Sequence, residues 1–122
     1  MTTYLISFRV DDADAVEAGL RRQVLRPHRK DGARIRVGDT LKLYRHLRTS
    51  FAQQIAMVRV AEVMSLRLDL KSGQLIIDGR LADADELHDI ALREGLADSW
   101  HLRHTLGTSC PSGEFEGYCA RW

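Results

Sequence analysis

The strongest limit on the fold of this sequence is its succession of short β-favouring runs, each ended by a turn signal. Segments rich in aliphatic and aromatic residues alternate with Gly, Asp and Pro positions that favour turns. Lys71-Ser72-Gly73, for example, has the form of a three-residue hairpin loop. The strands predicted from this pattern cover residues 4–10, 23–26, 40–44, 51–64, 66–70, 74–78 and 115–122.

Three further segments carry helix signals. The first, residues 12–18, starts in a cluster of aspartates and ends at Gly19. The second begins at Asp83, which forms a capping-box-like pair with Glu86, and ends near residue 95. The third, residues 97–106, contains Trp100, which we expect to anchor this segment in the core or at its rim.

Together these segments predict an α/β fold of the α+β kind, with about six strands and two or three short helices in a single domain, residues 1–122. Short sequential strands with helices inserted between them favour a small closed or nearly closed barrel. The chain is too short for a parallel βαβ array with its crossover helices.

The charges are strongly segregated along the chain. Residues 21–48 contain ten Lys or Arg against Asp31 and Asp39, a net charge of +8, whereas the remaining residues hold eight basic and 15 acidic side chains, a net charge of −7. This pattern predicts an anion-binding face, most simply one for phosphates. The alternative is a solvated face whose charges pair with the acidic helices.

The sequence also limits the compartment and the bound groups. It has no apolar run near the roughly 18 residues of a membrane helix and no signal-peptide pattern, so we expect a cytoplasmic protein that makes no membrane contact. Cys110 and Cys119 are expected to stay unpaired there. His101 and His104 have metal-compatible spacing but lack a third ligand, so no metal and no cofactor are predicted. The oligomeric state stays open.

Four short motifs in order resemble those of the ASCH domain family of the PUA-like superfamily, in its phage or bacterial form. Gly19-Leu20-Arg21-Arg22-Gln23-Val24-Leu25-Arg26 is similar to the family's Gly-x-Lys-x-x-Thr-x-Arg segment. The other three are the Gly-Asp strand entry in residues 37–44, the acidic-Gly piece in residues 93–96 and the closing strand in residues 115–122. The resemblance implies a small PUA-like β-barrel with a basic cleft beside the first helix, and RNA binding.

Some ASCH proteins hydrolyse acetylated cytidine with a Lys, a Thr and a Glu, and others are reported as ribonucleases. At the matching positions this chain has Arg21, Val24 and Glu94, and it keeps the family's arginine as Arg26. A guanidinium does not deprotonate in proteins and valine has no hydroxyl group. These departures favour a binding module over an amidohydrolase.

The predicted ligand is RNA, another single-stranded nucleic acid, or a nucleoside or nucleotide. Arginine suits phosphate and base stacking, Tyr44 is a candidate stacking platform, and Glu94 either reads a base edge or pairs with Arg21 or Arg26. The predicted binding residues are Arg21, Arg22, Arg26, Arg29, Lys30, Tyr44, Arg48 and Glu94.

Two alternatives remain open at the sequence level. The first is an enzyme, a ribonuclease or modified-nucleoside hydrolase, with Arg21, Glu94 and Tyr44 as its catalytic candidates and His28 or His46 as a proton shuttle. The second is a protein-binding module whose basic face meets an acidic partner.

Overall fold

The computed structural model describes residues 1–122 as a mixed α+β protein of eight strands in two sheets and three helices. This confirms the predicted mixed class. The helices are α1 (Val10–Glu17), α2 (Ala84–Arg93) and α3 (Ser99–Gly107), and none is long and apolar enough to cross a membrane. The strands are β1 (Thr3–Phe8), β2 (Gln23–Pro27), β3 (Thr40–Arg45), β4 (Gln53–Arg59), β5 (Glu62–Asp69), β6 (Leu75–Ile77), β7 (Arg80–Leu81) and β8 (Glu114–Arg121).

The predicted long strand over residues 51–64 is wrong, because β4 ends at Arg59 and β5 begins at Glu62. The backbone turns away between them to bond elsewhere: Val60 N–H donates to the carbonyl of Asp39 and Ala61 N–H to that of Arg121, each at 2.8 Å. The alternating run over residues 66–70 is the second part of β5 and not a strand of its own. The two-residue β7, which pairs with β6, was also not predicted.

The chain divides into two compact units, and each unit is made of separate stretches that alternate along the sequence. The first unit comprises Met1–Arg22, Ile35–Val63 and Ala120–Trp122, and the second comprises Gln23–Arg34 and Met64–Cys119. The single domain over residues 1–122 stays a prediction.

The first unit is built on a three-stranded sheet of order β1-β3-β4, with β1 parallel to β3 and β3 antiparallel to β4. Ile6, Phe8, Leu41 and Leu43 are buried on one face of this sheet, the inner face. Helix α1 packs against β3 and β4 and buries Ala13 and Val16. Arg45 at the end of β3 reaches α1 on this side, with Nη2 2.5 Å from the carboxylate of Asp14.

The core of the second unit lies between strands of the five-stranded sheet, whose order is β2-β8-β5-β6-β7, and helices α2 and α3. Helix α2 buries Leu87 and Ile90, and it begins with the predicted capping box of Asp83 and Glu86. The apolar cluster comprises Leu25, Leu66, Leu68, Leu75, Ile77, Leu87, Ile90, Ala91, Leu102, Phe115 and Cys119.

The prediction of Trp100 as a core or rim anchor is wrong, because its side chain is largely exposed. Asp98 caps α3 by accepting a hydrogen bond from the backbone N–H of His101. Leu102 then faces the core at 2% exposure, and the indole of Trp100 is 59% exposed. An apolar residue two positions away on a helix faces a different direction, which the sequence pattern alone did not resolve.

Candidate nucleic-acid interface

Arg21, the predicted centre of the binding set, is buried within the first unit at 6% exposure. Its Nη1 lies 3.1 Å from the carboxylate of Asp12, and its guanidinium carbon lies 5.3 Å from the centre of the Phe8 ring. An ion pair and a cation–π contact therefore hold the side chain against α1 and β1. Its role in binding phosphate stays a prediction, one that this burial and pairing do not favour.

The predicted basic residues of the second unit sit on β2 and the loop after it. Arg26 is half-buried, and its Nη1 donates to the carbonyl of Leu25 at 3.0 Å. Arg29 pairs with Asp31 at 3.2 Å, while Lys30 is exposed. The N–H of Ala33, and after it the side chain of Arg29, lower the pKa of Asp31. Part of the positive charge in this loop is therefore balanced locally.

Glu94 is tied to a buried amide in the second unit. Its Oε1 accepts a hydrogen bond from Nε2 of Gln23 at 2.8 Å, and the same Nε2 donates to the carbonyl of Ile90 at 3.2 Å. Gln23 is fully buried, so this pair joins β2 to the end of α2. The contact is structural, because it satisfies a buried polar group.

The predicted set divides evenly between the units. Arg21, Arg22, Tyr44 and Arg48 belong to the first, and Arg26, Arg29, Lys30 and Glu94 to the second. Among the four in the first unit, Tyr44 and Arg48 lie on β3 and on the loop that follows it, whereas Arg21 follows α1 and is buried.

The face of the first unit's sheet opposite the buried leucines carries a coherent group of side chains, which we name the outer face. Side chains alternate along each strand, and the strand register sets which ones are neighbours. A bulge between Leu43 and Tyr44 skips one residue of β4 and brings Gln54 opposite Tyr44. The rows of the outer face are Thr3, Thr40 and Arg59; Leu5, Lys42 and Met57; and Ser7, Tyr44 and Gln54.

The outer face combines an aromatic ring, exposed apolar side chains and positive charge. Tyr44 lies on the central strand, and its hydroxyl donates to Oε1 of Gln54 at 3.3 Å. Leu5 and Met57, on either side of Lys42, are 51% and 62% exposed. Lys42 and Arg59 supply two positive charges, and the nine residues of the face include no carboxylate. Such a surface suits flat rings linked by anionic groups.

The β3–β4 loop, residues 46–52, joins the two strands at the end of the sheet where Tyr44 and Gln54 lie. Phe51 is 80% exposed in this loop, and Arg48 of the same loop is also exposed. Thr49 fixes the loop conformation, since its Oγ1 donates to the carbonyl of His46 at 2.9 Å and accepts from the N–H of Phe51 at 3.1 Å. A second aromatic ring and a third basic side chain therefore lie beyond Tyr44.

The sequence pattern predicts the positions of some of these residues but not of others. The alternation over residues 40–44 places Lys42 and Tyr44 together, opposite Leu41 and Leu43, as the structure has them. Arg59 lies outside the basic segment, and its position on the outer face depends on the pairing of β4 with β3. The sequence pattern predicts Phe51 as the first residue of the strand over residues 51–64, whereas in the structure β4 begins at Gln53 and Phe51 lies in the loop.

The histidines considered as proton shuttles occupy different settings. His46 is exposed in the β3–β4 loop with a φ of 56°, in the left-handed region. His28, in the second unit, lies 6.4 Å from the ring of Tyr118, and its Nδ1 is buried without a hydrogen-bond partner. The ring contact between His28 and Tyr118 is not a nucleophile–base pair, and the loop position of His46 does not provide one. Neither histidine is therefore assigned a catalytic role.

No protein-family model, no curated protein and no solved structure matches this chain. The resemblance to ASCH domains therefore remains a prediction, based on residues 19–26, 37–44, 93–96 and 115–122.

Proposed function

We propose that this chain binds single-stranded nucleic acid, RNA foremost, on the outer face and the β3–β4 loop. The observation that carries the proposal is the position of Tyr44 on the exposed side of a central strand, with Lys42 and Arg59 on the same carboxylate-free face. RNA as the preferred ligand, and a small PUA-like barrel of the ASCH type as the fold, follow from the sequence resemblance and are part of the proposal.

Base stacking on Tyr44 supplies the first part of the binding energy. Proteins that hold single strands combine aromatic platforms with a positive track along the backbone, and each stacked base contributes about 1–3 kcal/mol. Phe51 offers a second ring at the loop end of the outer face. In this proposal one base stacks on Tyr44 and a further base of the same strand stacks on Phe51.

Phosphate contacts supply the second part. Lys42, Arg59 and Arg48 carry the charge of this surface, and each phosphate they neutralise releases counterions and makes the affinity depend on salt. The absence of carboxylates among the nine outer-face residues leaves this charge unopposed on the face itself. Binding is expected to weaken steeply as salt rises.

A single strand suits this surface better than a duplex. The aromatic rings stack only on bases that are not already stacked within a helix, and an open sheet displays them without a groove-reading helix. Hydrolysis is not part of the proposal, because Val24, which stands where ASCH hydrolases carry a threonine, is completely buried, and Arg21 is paired with Asp12.

The test is a fluorescence-anisotropy titration of a labelled single-stranded RNA, with single-stranded DNA and duplex RNA as comparisons, at about 50 and 200 mM salt. Tyr44→Ala is expected to weaken RNA binding about tenfold or more, because a stacking surface is lost. Tyr44→Phe is the matched control, since it keeps the ring and removes only the hydroxyl, and it should bind nearly as the parent does.

Lys42→Ala and Arg59→Ala should each make the plot of log affinity against log salt less steep. The slope should change by about one, which is the contribution of one phosphate contact. Arg93→Ala on α2 is the charge-matched control, because Arg93 is exposed and belongs to the second unit. The proposal fails if folded Tyr44→Ala binds RNA as tightly as the parent, or if no binding is measured at low salt.

A further inference from the structure

The second unit contains an open cleft of about 520 Å³ that none of the residues proposed above lines. Helix α3 forms one wall, and the turn after β5 together with the segment before β8 forms the other. The volume is within the range of small-ligand sites. The residues that matter for its chemistry are Lys71, Trp100, Arg103 and His104.

Trp100 and His104 line this cleft as a stacked pair of aromatic rings. Their rings lie one turn apart on α3, with centres 5.2 Å apart and planes within 7° of parallel. His101 meets Trp100 edge-on at 5.1 Å. The indole is 59% exposed although it is held by these contacts. An oriented, exposed indole of this kind is a stacking surface for a planar ring.

Arg103 and Lys71 give the cleft its charge. The guanidinium of Arg103 is fixed by donation from Nε to the carbonyl of Leu70 at 3.0 Å and from Nη2 to the carbonyl of Lys71. Both acceptors are neutral, so they orient the guanidinium without cancelling its charge. No carboxylate is among the residues that line the cleft.

The turn after β5 leaves space for the guanidinium of Arg103 and is itself held by hydrogen bonds. Gly73 adopts a φ of +77°, and a Cβ there would lie 3.1 Å from Nη1 of Arg103. Asp69 accepts from the backbone N–H groups of Ser72 and Lys71, which lower its pKa and keep it charged while it fixes the turn. The side chain of Lys71 is exposed at the cleft.

We infer that this cleft binds a small ligand of the nucleoside-monophosphate class, with its planar base stacked on Trp100 and its phosphate held by Lys71 and Arg103. The lining suits a planar ring and an anion. A nucleotide carries both, because its sugar links the base to the phosphate. The site goes beyond the proposed function, because it lies in the other unit and uses none of the outer-face residues.

The experiment titrates the whole chain with AMP, adenosine and inorganic phosphate, measured by calorimetry and by tryptophan fluorescence. AMP should bind saturably and quench the indole. Adenosine should bind about tenfold or more weakly, because the charge-assisted phosphate contacts are missing. Inorganic phosphate alone should give no measurable quenching, since it has no ring to stack.

Variants assign the two halves of the site. Trp100→Ala should abolish AMP binding and Trp100→Phe should retain most of it, and Trp100 is exposed enough for either variant to fold. Lys71→Ala should weaken AMP binding several-fold and leave adenosine binding unchanged, because one of the two phosphate contacts is lost. Trp122→Phe should keep the quenching, because Trp100 is then the sole tryptophan.

The inference is overturned if AMP does not bind at millimolar concentration, if folded Trp100→Ala binds AMP like the parent, or if Lys71→Ala weakens adenosine as much as AMP. Its failure is separable from that of the proposed function. Tyr44→Ala should leave AMP binding unchanged, and Trp100→Ala should leave single-stranded RNA binding unchanged, so each surface has its own readout.

Discussion

Arg21 and Lys42 are basic side chains of the same unit in different surroundings. Arg21 packs over Phe8 and faces the carboxylate of Asp12, whereas Lys42 stands on an open strand face with exposed Leu5 and Met57 beside it. The first arrangement directs a guanidinium inward and the second leaves an ammonium group available to a ligand. The two cations are therefore expected to respond differently to substitution.

Arg21→Ala is expected to lower the free energy of unfolding by about 1–2 kcal/mol, through lost packing and the lost cation–π contact. Affinity for single-stranded RNA should fall far less than in Tyr44→Ala. Urea unfolding and the anisotropy titration together check this. A variant of unchanged stability whose RNA binding collapses would place Arg21 in the binding site instead.

Asp39 makes the stability of the first unit depend on pH. Its buried carboxylate accepts from the N–H of Thr2 at 3.0 Å and from that of Arg36 at 2.9 Å, and these bonds lower its pKa. The folded-state pKa lies below the unfolded value of about 3.9, so the contribution is present above that value and is lost as pH falls through the lowered pKa.

We therefore expect Asp39→Asn to be less stable than the parent at pH 7, by about 1–3 kcal/mol, because an ionised acceptor is lost. The difference should shrink as pH falls below about 4. Urea unfolding at a series of pH values measures it, and a difference that is constant with pH would contradict the assignment.

Gly117 in β8 is required by a close backbone approach. A Cβ at this position would lie 2.8 Å from Cα of Pro27 and 2.8 Å from Cζ of Phe115, and it would also overlap the carbonyl oxygen of Arg26. Gly117→Ala must push β8 away from β2 and is expected to cost about 1–3 kcal/mol or more. Thermal unfolding measures this, and Gly107→Ala is the control, because a Cβ there meets no atom within 4 Å.

Among the elements, α2 is the one whose start is best defined by local chemistry. The carboxylate of Asp83 accepts from the N–H of Glu86, and Oε1 of Glu86 accepts from the N–H of Asp83. Asp83→Ala is expected to lower stability by about 1 kcal/mol, as for other lost N-caps. His88→Ala on the exposed side of the same helix is the control and should change little. Chemical unfolding measures the difference.

Elements with local signals were predictable, and those fixed by distant contacts were not. The capping box of α2 and the alternation of β3 follow from neighbouring residues and were confirmed. The break at Val60 and Ala61 was missed because its hydrogen bonds go to Asp39 and Arg121, far away in the sequence. The same limit applies to the candidate site: period two places Lys42 beside Tyr44, but only the strand register adds Arg59 and Met57.

For the whole molecule, the main feature is that the first unit is assembled from three separate stretches of chain. Its C-terminal stretch is joined to the rest by backbone bonds, from the N–H of Trp122 to the carbonyl of Arg22 at 3.2 Å and from the N–H of Ala61 to that of Arg121 at 2.8 Å. Ala120 is completely buried. These three residues therefore complete the unit that carries the outer face.

Removal of residues 120–122 is expected to increase hydrogen exchange at Ala61 strongly, because the acceptor of its N–H is deleted. Exchange within α2, in the second unit, should rise less. Hydrogen exchange followed by mass spectrometry distinguishes the two regions. Equal loss of protection in both would indicate that the units unfold together.

The interrupted path of the first unit also bears on how the protein is made. A ribosome delivers β1, β3 and β4 by Arg59, but the residues that close this unit are translated 61 to 63 positions later. At about 5–20 residues per second the nascent chain waits some seconds with its early strands incompletely tethered. The polypeptide that carries Tyr44 and Phe51 therefore matures only after residues 120–122 have been added.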